Sequence, residues 1–172
     1  TGGTGTRLSL VSLMMYGKQQ ISKRRDDPEH ASRPFDADRD GACYGEGAGV
    51  FVIESRDSAV ARGAKIYARI LGCGQSYEDR RFDNPATGDG YRRAIEKALA
   101  ASNLQASDIG HVNAHGESTT HGDACEAQAI RDCLGDVPVT ALKSYFGNLG
   151  AGSGAVELIA SLLALETGEV TP

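Results

Sequence analysis

The chain has 172 residues, 40% of them apolar, which is enough for one core within ordinary soluble-domain composition, so one domain or parts of two is expected. No run approaches the roughly 18 consecutive apolar residues of a membrane span, and the start lacks the layout of a signal peptide, so a cytoplasmic setting is expected. A net charge of -5 and a pI near 5.3 disfavour a phosphate backbone as partner, and nucleic acid is not expected.

In chain order, the apolar stretch Leu8 to Tyr16, closed by Gly17, predicts a buried helix. Lys18 to Asp40 is polar and broken by Pro28 and Pro34, a long surface loop of the kind that often carries function. Gly45 to Ser55 opens on glycines and runs through Val50, Phe51, Val52 and Ile53, which predicts a strand covered on both faces. A short helix over Asp57 to Gly63 and a strand over Ile66 to Cys73 follow. Gly90 to Ser102 then places Tyr91, Ile95, Ala98 and Leu99 on one helical face.

The second part continues with a strand at His111 to Ala114, a helix over Asp123 to Leu134, a strand at Val137 to Leu142 and a helix from Gly152 to Glu166. This alternation predicts an α/β layered fold whose sheet is covered by helices. The last helix is apolar around most of its circumference (Ala155, Val156, Leu158, Ile159, Leu162, Leu163, Leu165), which predicts a central, buried position. Cys43, Cys73, Cys125 and Cys133 have no paired spacing, so neither a zinc site nor a disulfide framework is expected. The chain starts at Thr1 without a methionine and stops at Pro172 directly after a helical pattern, so both ends read as cut from something longer.

Chemistry concentrates where strands end in glycine-rich turns, the place at which open α/β sheets bind ligands. In Val112-Asn113-Ala114-His115-Gly116-Glu117-Ser118-Thr119, His115 could aim a ring N–H at a substrate oxygen, or merely satisfy a loop hydrogen bond. In the segment from Leu142 to Glu157, a phosphate cradle ranks low because the Walker spacing is missing and Lys143 precedes the glycines. Lys143 and Glu157 read either as a buried pair at a site or as a surface lysine and a solvated glutamate.

These residues carry a resemblance. The first segment resembles the β-ketoacyl synthase motif Asn-Ala-His-Gly-Thr-x-Thr followed by Gly-Asp, here Gly122 and Asp123, and a helix with Glu126 and Ala127. The second is similar to the family's Lys-Ser-x-x-Gly-His-x-x-Gly-Ala-x-Gly-Ala-x-Glu, with Ala151 and Gly152 in swapped order. Upstream, Ser32-Arg33-Pro34-Phe35-Asp36, then Arg39-Asp40-Gly41, then Gly45-Glu46-Gly47-Ala48-Gly49 follow a third stretch of that family without departure.

The resemblance spans essentially the whole chain. It implies a thiolase-like αβαβα fold made of two similar halves, with residues 1–63 as the tail of the first and 64–172 as the start of the second. It implies decarboxylative condensation of a malonyl thioester with an acyl thioester, in fatty acid or polyketide synthesis. His115 and Asn148 would be oxyanion donors, Lys143 held by Glu157 would orient the network, and Thr119 would contact the pantetheine arm. The arm arrives on an acyl carrier protein, so no separate cofactor or metal is implied, and the intact enzyme is expected to be a homodimer.

Lys18, Lys23, Arg24 and Arg25 form the densest cationic run and are either a docking patch for the acidic carrier or a solvated loop balanced by Asp26 and Asp27. The family's cysteine nucleophile, in a Thr-Ala-Cys-Ser-like turn, has no match here, and Cys43 reads as structural. On its own the chain is therefore not expected to condense anything. Two positions depart from the pattern: Asn148 stands where elongating synthases have a second histidine, and Glu117 stands where a threonine would meet pantetheine. They leave open a second reading, a non-catalytic synthase-like partner subunit.

Overall fold

The computed structural model describes the whole chain except residues 7, 17–20, 25, 79–86 and 171–172, and the side chains of residues 13, 15 and 16. The elements are β1 (Gly2–Thr6), α1 (Leu10–Tyr16), β2 (Glu46–Val50), α2 (Arg56–Ala61), α3 (Asp89–Ser102), β3 (Val112–Asn113), α4 (Thr120–Leu134), β4 (Val139–Thr140), α5 (Lys143–Phe146) and α6 (Ser153–Thr167). β1 and β2 pair antiparallel with Gly3 opposite Gly49 and Gly5 opposite Gly47, and β3 and β4 pair in parallel with Val112 opposite Val139.

The glycines of the first ladder let the chain behind it come close. A Cβ on Gly5 would lie 1.6 Å from the Leu149 carbonyl oxygen, and one on Gly49 would lie 2.9 Å from the Ala155 Cβ. Only a bare backbone admits the turn before α6 at that distance. β1 is a strand that the composition of Gly2–Thr6 does not suggest, since glycine is depleted in strands.

The second ladder continues past β3, where the Ala114 N–H donates to the Thr140 carbonyl at 2.8 Å. Both strands then leave the ladder toward the same end. α3 ends on Asn103 in the left-handed conformation, with the Leu104 N–H reaching back to the Leu99 carbonyl at 3.1 Å, a glycine-like C-terminal cap.

Four sequence expectations are corrected. α1 is not a buried helix: Leu10, Val11 and Met14 are 75%, 67% and 73% exposed. Pairing in Gly45 to Ser55 goes no further than Phe51, which exchanges bonds with Thr1 at 2.7 and 2.9 Å, and Val50 and Val52 are 80% and 84% exposed rather than covered on both faces. Ile66 to Cys73 forms no strand; it lies along α3, where Gly72 and Gly74 meet the Ala98 and Ala94 carbonyls, and Ile70 and Leu71 are left exposed. α6 is not enclosed: Leu158, Leu163 and Leu165 are exposed, the last at 71%. The cause is common to all four. Apolar pattern records that a face needs cover, and among the described residues no element supplies it.

Candidate active site

The loop after β3 is built by two carboxylates of α4. The N–H groups of His115 and Gly116 donate to Glu126 at 2.7 and 2.9 Å. Those of Glu117, Ser118 and Thr119 donate to Asp123 at 3.0, 3.1 and 3.2 Å, and the Phe35 N–H joins them at 2.9 Å. Asp123 is 1% exposed, so this carboxylate exchanges water for backbone donors almost completely.

The loop also carries strain. Gly116 has φ +38°, Ser118 φ +65° and Phe35 φ +64°. A Cβ on Gly116 would stand 2.6 Å from the Ala141 Cβ and 3.0 Å from the Pro34 Cβ, so only glycine fits between the two segments. Strained non-glycine residues persist where surrounding bonds overdetermine them, and here the Asp123 cluster does so.

The Ser32-Arg33-Pro34-Phe35 stretch closes over this loop. Ser32 Oγ donates to the Lys143 carbonyl at 2.7 Å, and the Arg33 N–H donates to Ser118 Oγ at 3.0 Å. Arg39 Nε reaches the Thr119 carbonyl at 3.0 Å. Thr119 itself is half-buried before α4, with no side-chain cap bond.

Lys143 begins the single turn α5 rather than ending a strand, and its side chain is 1% exposed. Its Nζ donates to Glu157 Oε1 at 2.5 Å and to the His115 carbonyl at 2.6 Å, and lies 3.4 Å from His115 Nδ1. The buried-pair reading of Lys143 and Glu157 is therefore the one realised. An ammonium has no lone pair, so Nδ1 can only accept from it; the ring proton sits on Nε2, the outward-facing nitrogen.

Asn148 is buried, and its backbone is tied to the Cys43-Tyr44-Gly45 segment: its N–H donates to the Cys43 carbonyl at 2.7 Å, and its carbonyl accepts from Gly45 at 3.0 Å. Oδ1 accepts from the Gly150 N–H at 2.8 Å, which fixes the amide with its NH2 facing the site. That NH2 donates to Glu117 Oε1, and Glu117 Oε2 faces His115 Nε2 at 3.6 Å. The His115 ring is the largest influence holding the Glu117 carboxyl below its usual range. Burial opposes it, while the Asn148 amide and the Lys143 charge add to it.

The structure thus brings His115, Lys143, Asn148, Glu157 and Glu117 together. Sequence reasoning quoted Asp123 and Glu126 without seeing that they hold the histidine loop; the signal was their spacing of three on a helix directly after it. Of the cationic run, Lys18 and Arg25 lie outside the described residues. Lys23 is exposed, and Arg24 is half-buried with its guanidinium donating to the Asp38 carbonyl at 3.0 Å. Cys43 serves through its carbonyl, and partial burial pushes its thiol pKa up. No described helix is long and apolar enough to cross a membrane.

An α/β fold with a buried lysine–glutamate pair beneath a strand-end histidine defines the class, the thiolase-like fold of ketosynthases. Residues 67–172 match the β-ketoacyl synthase C-terminal domain and residues 1–59 match the β-ketoacyl synthase N-terminal domain. The chain belongs to the β-ketoacyl synthase family. It is 40% identical over 177 aligned positions to the 3-oxoacyl-[acyl-carrier-protein] synthase 2 of Synechocystis and 38% identical to that of Staphylococcus aureus. Those alignments take in 99% and 100% of this chain but 42% and 43% of the relatives' length.

Among solved structures, a β-ketoacyl synthase from Burkholderia phymatum superposes with a TM-score of 0.90 at 37% identity, covering 96% of this chain and 41% of that one. A type II PKS acyl-carrier protein in complex with its ketosynthase bound to the hexaketide gives 0.91 at 32% identity, covering 98% and 43%. The ishigamide ketosynthase/chain length factor gives 0.84 at 32%, covering 99% and 41%.

Proposed function

We propose that this chain is the histidine-bearing part of a β-ketoacyl-[acyl-carrier-protein] synthase, an acyltransferase that performs decarboxylative Claisen condensation of a malonyl thioester with an acyl thioester. The observation that carries the reading is the buried Lys143, which reaches Glu157, the His115 carbonyl and the His115 ring nitrogen Nδ1 at once. A buried charge pair of this kind is expensive as a stability device and fits a site that must hold a ring in one tautomer. The division into residues 1–63 and 64–172 as parts of two halves is supported by family matches that end at 59 and resume at 67.

In this reading a cysteine outside residues 1–172 takes the acyl group from its thioester, and the malonyl thioester then loses CO2. The resulting enolate attacks the acyl carbonyl. Negative charge develops on a thioester oxygen at each step, and the His115 Nε2–H and the Asn148 amide are placed to donate to it. Each such donor is worth about 2.7–4 kcal/mol. Thr119 lines the approach of the pantetheine arm, delivered by an acyl carrier protein as substrate rather than as a resident cofactor. The solved complex of a type II PKS ketosynthase with its acyl-carrier protein supports a carrier partner. Lys23 and Arg24, with Lys18 and Arg25, are the proposed docking patch, and the full-length enzyme is proposed to be a cytoplasmic homodimer.

In the full-length protein, His115→Ala is expected to lower malonyl decarboxylation about 100-fold or more, the scale of a lost oxyanion donor. Decarboxylation at the wild-type rate would remove His115 from the chemistry. The second reading, a non-catalytic partner subunit, is favoured by one observation: Glu117 stands between the two donors. Sequencing the parent gene decides between them, because an encoded Thr-Ala-Cys-Ser-like turn supports the enzyme and its replacement supports the partner.

A further inference from the structure

Two N–H donors of this site face the same side chain, one toward each oxygen of its carboxylate. The Asn148 amide donates to one oxygen of the Glu117 carboxylate, and the His115 Nε2–H faces the other at 3.6 Å. Neither donor has another described acceptor, because Asn148 Oδ1 and His115 Nδ1 are turned to Gly150 and Lys143. The Glu117 backbone is held in place: its N–H is pinned to Asp123, and Gly116 and Ser118 on either side hold positive φ. A carboxylate set in front of these two donors, with a buried ammonium behind the ring, occupies the space in which a thioester oxygen would accept from them.

We propose that Glu117 is the resident acceptor of the His115–Asn148 pair, an internal stand-in that an incoming acyl or malonyl thioester must displace. This rests on reading the pair as substrate-oxygen donors. Two consequences follow from charge. A neutral acyl thioester competes with an anion for both donors, and a malonyl thioester also brings its own carboxylate toward the Glu117 carboxylate, so like-charge repulsion weakens it further. Glu117 is thereby a specificity-determining residue that disfavours malonyl over acyl ligands until it swings out.

The test uses the full-length protein with amide analogues of acetyl- and malonyl-pantetheine, in which nitrogen replaces the thioester sulfur so that neither transfer nor decarboxylation occurs. Glu117→Thr opens the donor pair and is expected to tighten both analogues about tenfold or more, the malonyl analogue by the larger factor. Glu117→Gln keeps an acceptor oxygen but removes the charge, so it is expected to help the acyl analogue less than Glu117→Thr does and to help the malonyl analogue by the larger factor. Both variants keep the backbone bonds to Asp123, and an unchanged melting temperature confirms that the loop survives.

Binding of both analogues no tighter in either variant than in wild type overturns the proposal. Condensation is assayed separately on the same proteins. Tightened binding with no condensation in any form keeps this assignment and sinks the condensing reading. Wild-type condensation with unchanged analogue binding does the reverse.

Discussion

Four backbone N–H groups from two distant segments, Phe35 and the run Glu117 to Thr119, are aimed at the carboxylate of one buried residue, Asp123. Each would lose its acceptor without it, and the fully buried Ser118 N–H would be left unsatisfied at about 1–3 kcal/mol, the three half-buried ones at less. Asp123→Ala is therefore expected to destabilise the protein by about 3 kcal/mol or more, and Asp123→Asn, which keeps one acceptor oxygen, by less. Urea unfolding of the full-length variants checks this, and equal stability of Asp123→Ala and wild type would mean that the loop finds other partners.

The same contacts show what was legible at this scale. His115 could be picked out because it leaves a strand into a glycine turn, and Lys143 and Glu157 because they flank a glycine-rich segment with opposite charges. The roles of Asp123 and Glu126 were not legible, because sequence carries no record of where backbone N–H groups point. Glu117 was visible as an anomaly, a charge where a hydroxyl is expected. Its meaning depends on a distance to Asn148 across a separation of 31 residues.

At the scale of elements, helices were read more faithfully than strands. α3, α4 and α6 fall within a few residues of expectation because their apolar spacing repeats over 14 or 15 residues. β1 was missed because its glycines serve the approach of Leu149 and Ala151, a tertiary demand that overrides strand propensity. Ile66 to Cys73 has strand composition without a strand's ladder, since pairing is a property of two segments.

The loop before β2 carries its own prediction. Ser22 Oγ and the Lys23 N–H both donate to Asp40, at 2.8 and 3.0 Å, and hold that carboxyl below its usual range, which fixes the backbone while the Lys23 side chain stays exposed. Arg24 is the less clean probe, because its guanidinium ties the loop to Asp38 and its Nε is buried. Lys23→Glu in the full-length protein is accordingly expected to slow association with an acidic carrier protein and to flatten its salt dependence. An association rate with the same salt slope as wild type would dismiss this face as the docking patch.

At the scale of the whole chain, the polar interior and the apolar exterior are out of their usual places. Lys143, Asp123, Ser118 and Asn148 are buried, while Val50, Val52, Ile53, Ile70, Leu71, Leu163 and Leu165 are exposed. Single exposed apolar side chains need no explanation, but runs along β2, the 66–73 segment and one side of α6 leave several unpartnered faces on a chain that spans less than half the length of its relatives. Covering such faces is worth about 25 cal/mol for each Å² of apolar surface removed from water. Among the described residues the paired strands also have open edges, which invite another strand. Residues 1–172 expressed alone are therefore expected to associate, forming dimers or larger species as concentration rises. Sedimentation velocity from micromolar to millimolar concentration measures it directly. A single monomeric species throughout, with cooperative unfolding, would show that these apolar faces need no partner and that the chain is a self-sufficient domain.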